Sequence, residues 1–122
     1  MKENLSEKEY IEKYKEICSH CDRYTNQINV KIHNRAVAKL DKMNESIKDD
    51  LQFAKKVYYE LLHDEDEVVR RMGADDCLHA GVFVDEAIAV LKELSDNAEK
   101  IMTKVAASGT LFMWEYSPEV FK

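Results

Sequence analysis

The sequence predicts an all-α protein of about six antiparallel helices, and three observations carry that prediction. Only one of its 122 residues is Pro and three are Gly, so long stretches contain no helix breaker. Apolar residues recur at spacings of three and four along most of the chain, the period of a helix with one buried face. The one short apolar run that could begin a strand, Val82-Phe83-Val84, flows directly into helical spacing. With 45% hydrophobic residues the chain can bury a core of its own, and its length fits a single domain over residues 1–122 with a C-terminal tail at 115–122. Helices of this length joined by short turns form either a compact bundle or a stack of helix pairs, an α-α superhelix.

The first helix is announced by Ser6 and Glu9, a capping box in which each side chain accepts from the other residue's amide, with Leu5 placed to staple against Tyr10. Tyr10, Tyr14, Ile17, Cys18 and Cys21 then share one face, and the helix ends near Tyr24. Asn26 can cap a second helix whose stripe is Ile28, Ile32, Ala36, Leu40, Met43 and Ile47. After turn residues Ser46 to Asp50, a third helix from about Leu51 to His63 turns Leu51, Ala54, Val57, Tyr58, Leu61 and Leu62 inward. Asp64 or Asp66 can cap the fourth, which buries Val69, Met72, Gly73, Cys77 and Ala80 and stops before Gly81, a residue suited to the left-handed terminator. The fifth runs from about Phe83 to Leu94 on Phe83, Ala87, Ile88, Leu91 and Leu94, and Ser95 to Asn97 separate it from the sixth. There the expected inward stripe is Ile101, Val105, Ser108 and Phe112, with Ala106, Gly109 and Met113 beside it and Ser108 and Gly109 permitting close helix approach. The tail carries Pro118, and Trp114, Tyr116 or Phe121 is expected to plug the open end of the core.

The block from Leu61 to Cys77 resembles the inner junction of a HEAT-type helical repeat: a Leu-rich helix end, an Asp-containing turn, the Val69-Arg70 pair opening the next helix, then Gly73-Ala74 and Cys77 where paired helices touch. Cys77 stands at a usual Leu position and Gly73 at a usual Ala position. On physical grounds Val69 anchors the helix, Arg70 bonds a turn carboxylate and Gly73 admits the facing backbone. A wider stretch, from about Tyr24 to Trp114, resembles a small bacterial all-helical family of unknown function with HEAT/armadillo-like organisation, through Asn34-Arg35, Glu86-Ala87 with Leu91, Ala106-Ala107 and Met113-Trp114. That resemblance implies a fold and no chemistry.

The net charge of -6 is unevenly placed. Residues 1–62 carry 12 Lys/Arg against 11 Asp/Glu, whereas residues 63–122 carry 6 against 13. The acidic second half gathers Asp64, Glu65, Asp66, Asp75, Asp76, Asp85 and Glu86 around one helix hairpin, a candidate patch for steering a basic protein partner. Lys31, Arg35, Lys39 and Lys42 form a basic stripe on the second helix, but the acidic half and the lack of interleaved aromatics disfavour nucleic acid. No apolar run is long enough to span a bilayer and the first ten residues are polar, so the expected location is cytoplasmic, without membrane association.

Cys18 and Cys21 have the spacing of half a zinc site or of a dithiol, with His33, Cys77 or His79 as the ligands a closed zinc site would still need. Inside a good helical pattern they read instead as small buried hydrophobes. The Asp64 to Glu67 run lacks the bend glycine and the distant glutamate of a calcium loop, which leaves capping and solvation as its role. His79 near Asp75 and Asp76, or His63 beside carboxylates, could serve as a base, yet no nucleophile is placed with either. No catalytic residue, metal ligand or cofactor is therefore assigned. The sequence points to a noncatalytic protein-interaction module, an acidic inhibitor or adaptor of a basic protein. The alternatives are a self-associating structural module (a homo-oligomer whose copies dock through the Trp114 to Phe121 tail), a HEAT-like nucleic-acid binder and a small enzyme.

Overall fold

A computed structural model describes residues 5–24 and 30–121. The protein is all-α: α1 (Glu7–Tyr24), α2 (Val30–Ile47), α3 (Leu51–Leu62), α4 (Glu67–Ala80), α5 (Val84–Asn97) and α6 (Ile101–Tyr116), followed by one 3₁₀ turn (Pro118–Phe121). No strand occurs among the described residues. The chain divides into two compact units, 1–57 and 58–122, with the boundary inside α3.

In the first unit the capping box forms as its residue types require. The Glu9 amide donates to Ser6 Oγ at 3.1 Å and the Ser6 amide to Glu9 Oε1 at 3.0 Å, and these bonds hold the Glu9 carboxyl below its ordinary pKa. Tyr10, Tyr14, Ile17 and Cys18 of α1 are buried, as are Ala36, Leu40, Met43 and Ile47 of α2, so the two helices pack through the stripes their spacing marks out. Phe53 adds an edge-on ring contact to Tyr10 at 5.7 Å. Asp50 caps α3 by accepting from the Phe53 amide at 3.2 Å. Leu51 is consequently the first helical residue and stands 54% exposed, contrary to its expected inward position, while Ala54 and Val57 are buried. The Asn26 and Ile28 expectations, and the side chains of His20, Cys21 and Ile32, lie outside the described residues.

The second unit begins with the end of α3, where Tyr58, Leu61 and Leu62 are buried. Asp66 caps α4 by accepting from the Val68 amide at 2.8 Å, and Asp64 accepts from the Asp66 amide at 2.9 Å. α4 buries Val68, Val69, Gly73, Ala74, Cys77 and Leu78, whereas Met72 is half-buried and Ala80 is exposed on the last turn. Gly73 is required: a Cβ there would lie 2.9 Å from Leu61 Cβ. Arg70 does bind the turn, but through the carbonyls of Asp64 at 2.7 Å and Glu65 at 3.0 Å rather than through a carboxylate. Those carboxylates are occupied as caps, so backbone oxygens are what the guanidinium finds.

Gly81, at φ 70°, ends α4 in the left-handed conformation, with its amide on the Leu78 carbonyl and the Val82 amide on that of Cys77. Phe83 precedes α5 at φ 50°, a strained conformation for a bulky residue, and its half-buried ring meets Tyr59 edge-on at 6.1 Å. Phe83 is thus outside α5 rather than on its buried face, which consists of Ala87, Leu91 and Leu94 with Ile88 half-buried. α5 also continues through Ser95 to Asn97, and the break falls at 98–100 instead. α4, α5 and α6 pack on one another, and the 3₁₀ turn folds back so that Phe121 is buried against Trp114 (5.4 Å) and His79 (4.7 Å). Phe121 is the plug. Tyr116 is 66% exposed, and residues 115 and 116 belong to α6 rather than to a tail.

Gly73→Ala will lower stability by about 1–3 kcal/mol through overpacking against Leu61, and Val69→Ala by about 1–2.5 kcal/mol through the cavity it leaves. Urea denaturation reads both. An unchanged midpoint for Gly73→Ala would contradict the close approach of α4 to the end of α3.

Candidate interaction surfaces

The acidic junction is largely engaged in building the fold. Glu67, the first residue of α4, reaches the break between α5 and α6, where its two carboxylate oxygens accept from the Glu99 and Lys100 amides at 2.8 Å each. Partial burial pushes the Glu67 carboxyl up, but these amides, the Thr103 hydroxyl and the Arg70 charge more than offset it and hold the pKa below its ordinary value. Around this contact Glu65, Asp66, Arg70, Glu93 and Lys100 line an open depression of about 400 Å³ in which both signs of charge are present.

The expected acidic patch is accordingly divided. Asp64 and Asp66 act as turn and cap acceptors, and Asp76 is half-buried. Asp75, expected to be exposed, has a side chain only 22% accessible and pairs with Arg71 Nη1 at 2.6 Å, one helical turn away. Burial raises the Asp75 carboxyl against the opposing pull of Arg71, the Thr110 hydroxyl and His79. Asp75 Oδ1 and Arg71 Nε are buried with no hydrogen-bond partner among the described residues. Glu65, Asp85 and Glu86 stand in solvent as expected.

The groups considered for chemistry sit in structural settings. Cys77 is buried and its thiol is pushed up to about 12 by burial, then by the nearby Asp76 and Glu86 charges. A thiol in that state is not a nucleophile at neutral pH. The His79 ring lies on Phe121, and the His63 ring lies on Tyr59 at 4.4 Å while its Nδ1 donates to the Tyr59 carbonyl at 2.7 Å. Cys18 is buried, and no group of three metal-ligating side chains converges among the described residues. In the first unit Lys31, Arg35, Lys39 and Lys42 are exposed along α2. A groove of about 1070 Å³ is lined by Lys39 and Lys42 of that stripe, with half-buried Leu5 and Phe53 adding apolar surface to it.

The largest departure from expectation is α6. Its buried residues are Thr103 and Ala107, with Ala106, Thr110, Leu111 and Trp114 half-buried. Ile101, Val105, Gly109, Phe112 and Met113, expected inward or beside the inward stripe, face solvent instead, while Ser108, though exposed, makes the close approach expected of it, to Ser95 of α5. The exposures are 76% for Ile101, 58% for Val105, 61% for Phe112 and 66% for Tyr116, with Met102 at 42% and Met113 at 37%. At about 100° per residue these six and Gly109 fill a continuous arc of about 120° with no charged residue in it. The reason is steric. The side turned to α4 and α5 carries the small residues Thr103, Ala106, Ala107 and Thr110, with Leu111 and Trp114 toward its end, and the Ser95 and Ser108 hydroxyls meet at 2.5 Å.

Sequence reasoning missed Glu67 as a tie, the Arg71–Asp75 pair and the outward α6 face. The spacing of four between Arg71 and Asp75 was a readable signal. So was the row of small residues Thr103, Ala106, Ala107 and Thr110, a second face on which α6 could pack. No helix among the described residues is long and apolar enough to cross a membrane. The chain matches no protein-family profile, no curated protein and no solved structure.

Glu67→Gln keeps the shape but loses an acceptor and the charge, and at neutral pH it will cost about 1 kcal/mol, the solvent at this site reducing the value for a buried charged bond. Because the folded pKa lies below the unfolded one, this stabilisation is complete above the unfolded value and disappears as pH falls through the folded value. The gap between wild type and variant in urea unfolding will therefore close on acidification. A gap that persists or widens in acid would contradict the carboxylate's role.

Proposed function

We propose that this chain is a noncatalytic protein-interaction module whose docking surface is the outer face of α6. The observation that carries this reading is the charge-free arc from Ile101 to Tyr116. Monomeric soluble proteins seldom leave an apolar patch of this extent uncovered, and a face about 120° wide has the breadth that helices ordinarily turn to a core. Large aliphatic and aromatic side chains held on a rigid helix supply contact area at small entropic cost. The closeness of Gly73 to Leu61 and the Arg70 contacts to the turn support reading α3 and α4 as a HEAT-like pair.

A second reading is favoured by exposed Glu65 at one end of the α4–α5 hairpin and exposed Asp85 and Glu86 at the other, whose summed field would hasten encounter with a basic protein. Asp75 is not part of it, being paired with Arg71.

The paired variant Val105→Glu with Phe112→Ser will keep the helical circular dichroism and the stability within about 0.5 kcal/mol, since both sites are exposed, yet lose the proteins that wild type retains on a column. An identical retained set for the two proteins would overturn α6 as the docking surface. Reversal of Glu65, Asp85 and Glu86 to Lys will instead slow association while leaving dissociation nearly unchanged. Stopped-flow mixing with the retained partner measures this, and an unchanged association rate would remove the acidic surface from the account.

A further inference from the structure

We propose that the outer face of α6 closes on the same face of a second copy, the two helices running antiparallel about a two-fold axis between Ser108 and Gly109. The inference rests on the reading of α6 as the docking surface and names its occupant.

The first argument is the distribution of side chains along the helix. At 1.5 Å per residue, Val105 and Phe112 lie about 5 Å on either side of the Ser108–Gly109 midpoint, and Ile101 and Tyr116 about 11 Å on either side. Reversing one helix on the other therefore sets Ile101 against Tyr116 and Val105 against Phe112, twice over. Aliphatic residues occupy one end of the face and aromatic residues the other, so each end meets its complement. A two-fold contact requires this self-complementarity and a contact with an unrelated protein does not.

Gly109 supplies the second argument. A Cβ built there has nothing within 4 Å, so the chain's own packing does not require glycine, which costs about 1 kcal/mol in a helix interior. Close approach of another backbone at the centre of the face accounts for it. Charge gives the third. Lys104 and Glu115 are exposed beyond one edge of the arc, about 7 Å and about 10 Å on either side of the midpoint. Antiparallel pairing puts each Lys104 on the same edge of the contact as Glu115 of the second copy, a parallel two-fold puts the two charged edges on opposite sides of it, and a lipid-surface helix would carry basic residues on its margins instead. The exposed apolar side chains amount to roughly 700 Å² per copy, close to the ~800 Å² that each partner contributes to a standard interface.

The test uses the full chain in sedimentation equilibrium over a concentration series. The expected species has twice the 14.2 kDa chain mass. Lys104→Glu and Glu115→Lys will each raise the dimer Kd about tenfold, two contacts being reversed at once, and the double reversal will restore it to within a few-fold of wild type. Gly109→Ala, whose Cβ meets nothing within 4 Å inside one copy and which is a better helix former, will raise the thermal midpoint of the dilute chain while weakening the dimer. A chain that stays at 14.2 kDa at about 100 μM, far above typical specific Kd values, overturns the second copy as occupant. So does a dimer in which the double charge reversal fails to rescue the single ones. If the mass stays monomeric but Val105→Glu with Phe112→Ser still releases a retained protein, the occupant is wrong and the docking surface stands. If that variant changes neither mass nor retention, both fail.

Discussion

In the second unit one carboxylate ties the start of α4 to the start of α6. Glu67 stands at the first position of α4, held there by the Asp66 cap, and spans to the two amides that precede α6. Those amides lie where α5 has ended and α6 has not begun, at exposed residues whose only other acceptor would be water. A charged acceptor at 2.8 Å from both sets where α6 starts and the angle at which it leaves α5. The Thr103 hydroxyl adds to the same tie from inside α6, and Thr103 is one of the two fully buried residues of that helix.

Once the start of α6 is set, its rotation follows from size. The helix is apolar on two sides, one of small residues around Ala107 and one of large residues from Ile101 to Tyr116. With α4 and α5 as neighbours the small side allows the closer approach, and the Phe121 plug against Trp114 and His79 closes the far end of that packing. The large side chains are left outward as a consequence. The surface proposed for docking and the packing of the second unit are thus two outcomes of one choice of rotation. A single substitution on the small face would be expected to disturb both.

Where a local rule determines the outcome, the sequence was legible. The capping box of α1, the Asp66 cap, the Gly81 terminator and the narrow approach at Gly73 each depend on residues within a few positions or on one steric fact. The described parts of the inward stripes, Tyr10 to Cys18 of α1 and Ala36 to Ile47 of α2, were legible too, because each helix has only one apolar side there. α6 was not, since periodicity alone does not choose between two apolar faces; the choice depends on how near the neighbouring helices come. The acidic residues were misjudged for a related reason. Counting charge along the chain cannot tell a carboxylate in solvent from one spent on a cap, as at Asp66, or on a paired cation, as at Asp75. The α5 boundary moved because Ser95 to Asn97, typical turn residues, remain helical and the Glu67 tie lies just beyond them.

The outward rotation of α6 is the claim on which the functional account stands, and hydroxyl-radical footprinting read by mass spectrometry tests it directly. In dilute protein the account requires strong labelling of Met102, Phe112, Met113 and Tyr116 beside weak labelling of buried Tyr10, Tyr14 and Phe121. On concentration, protection should arise on that α6 face and nowhere else in the second unit. Protection of Phe112 and Tyr116 already at high dilution, with Ala107 and Thr103 open to label, would show the opposite rotation and contradict the account.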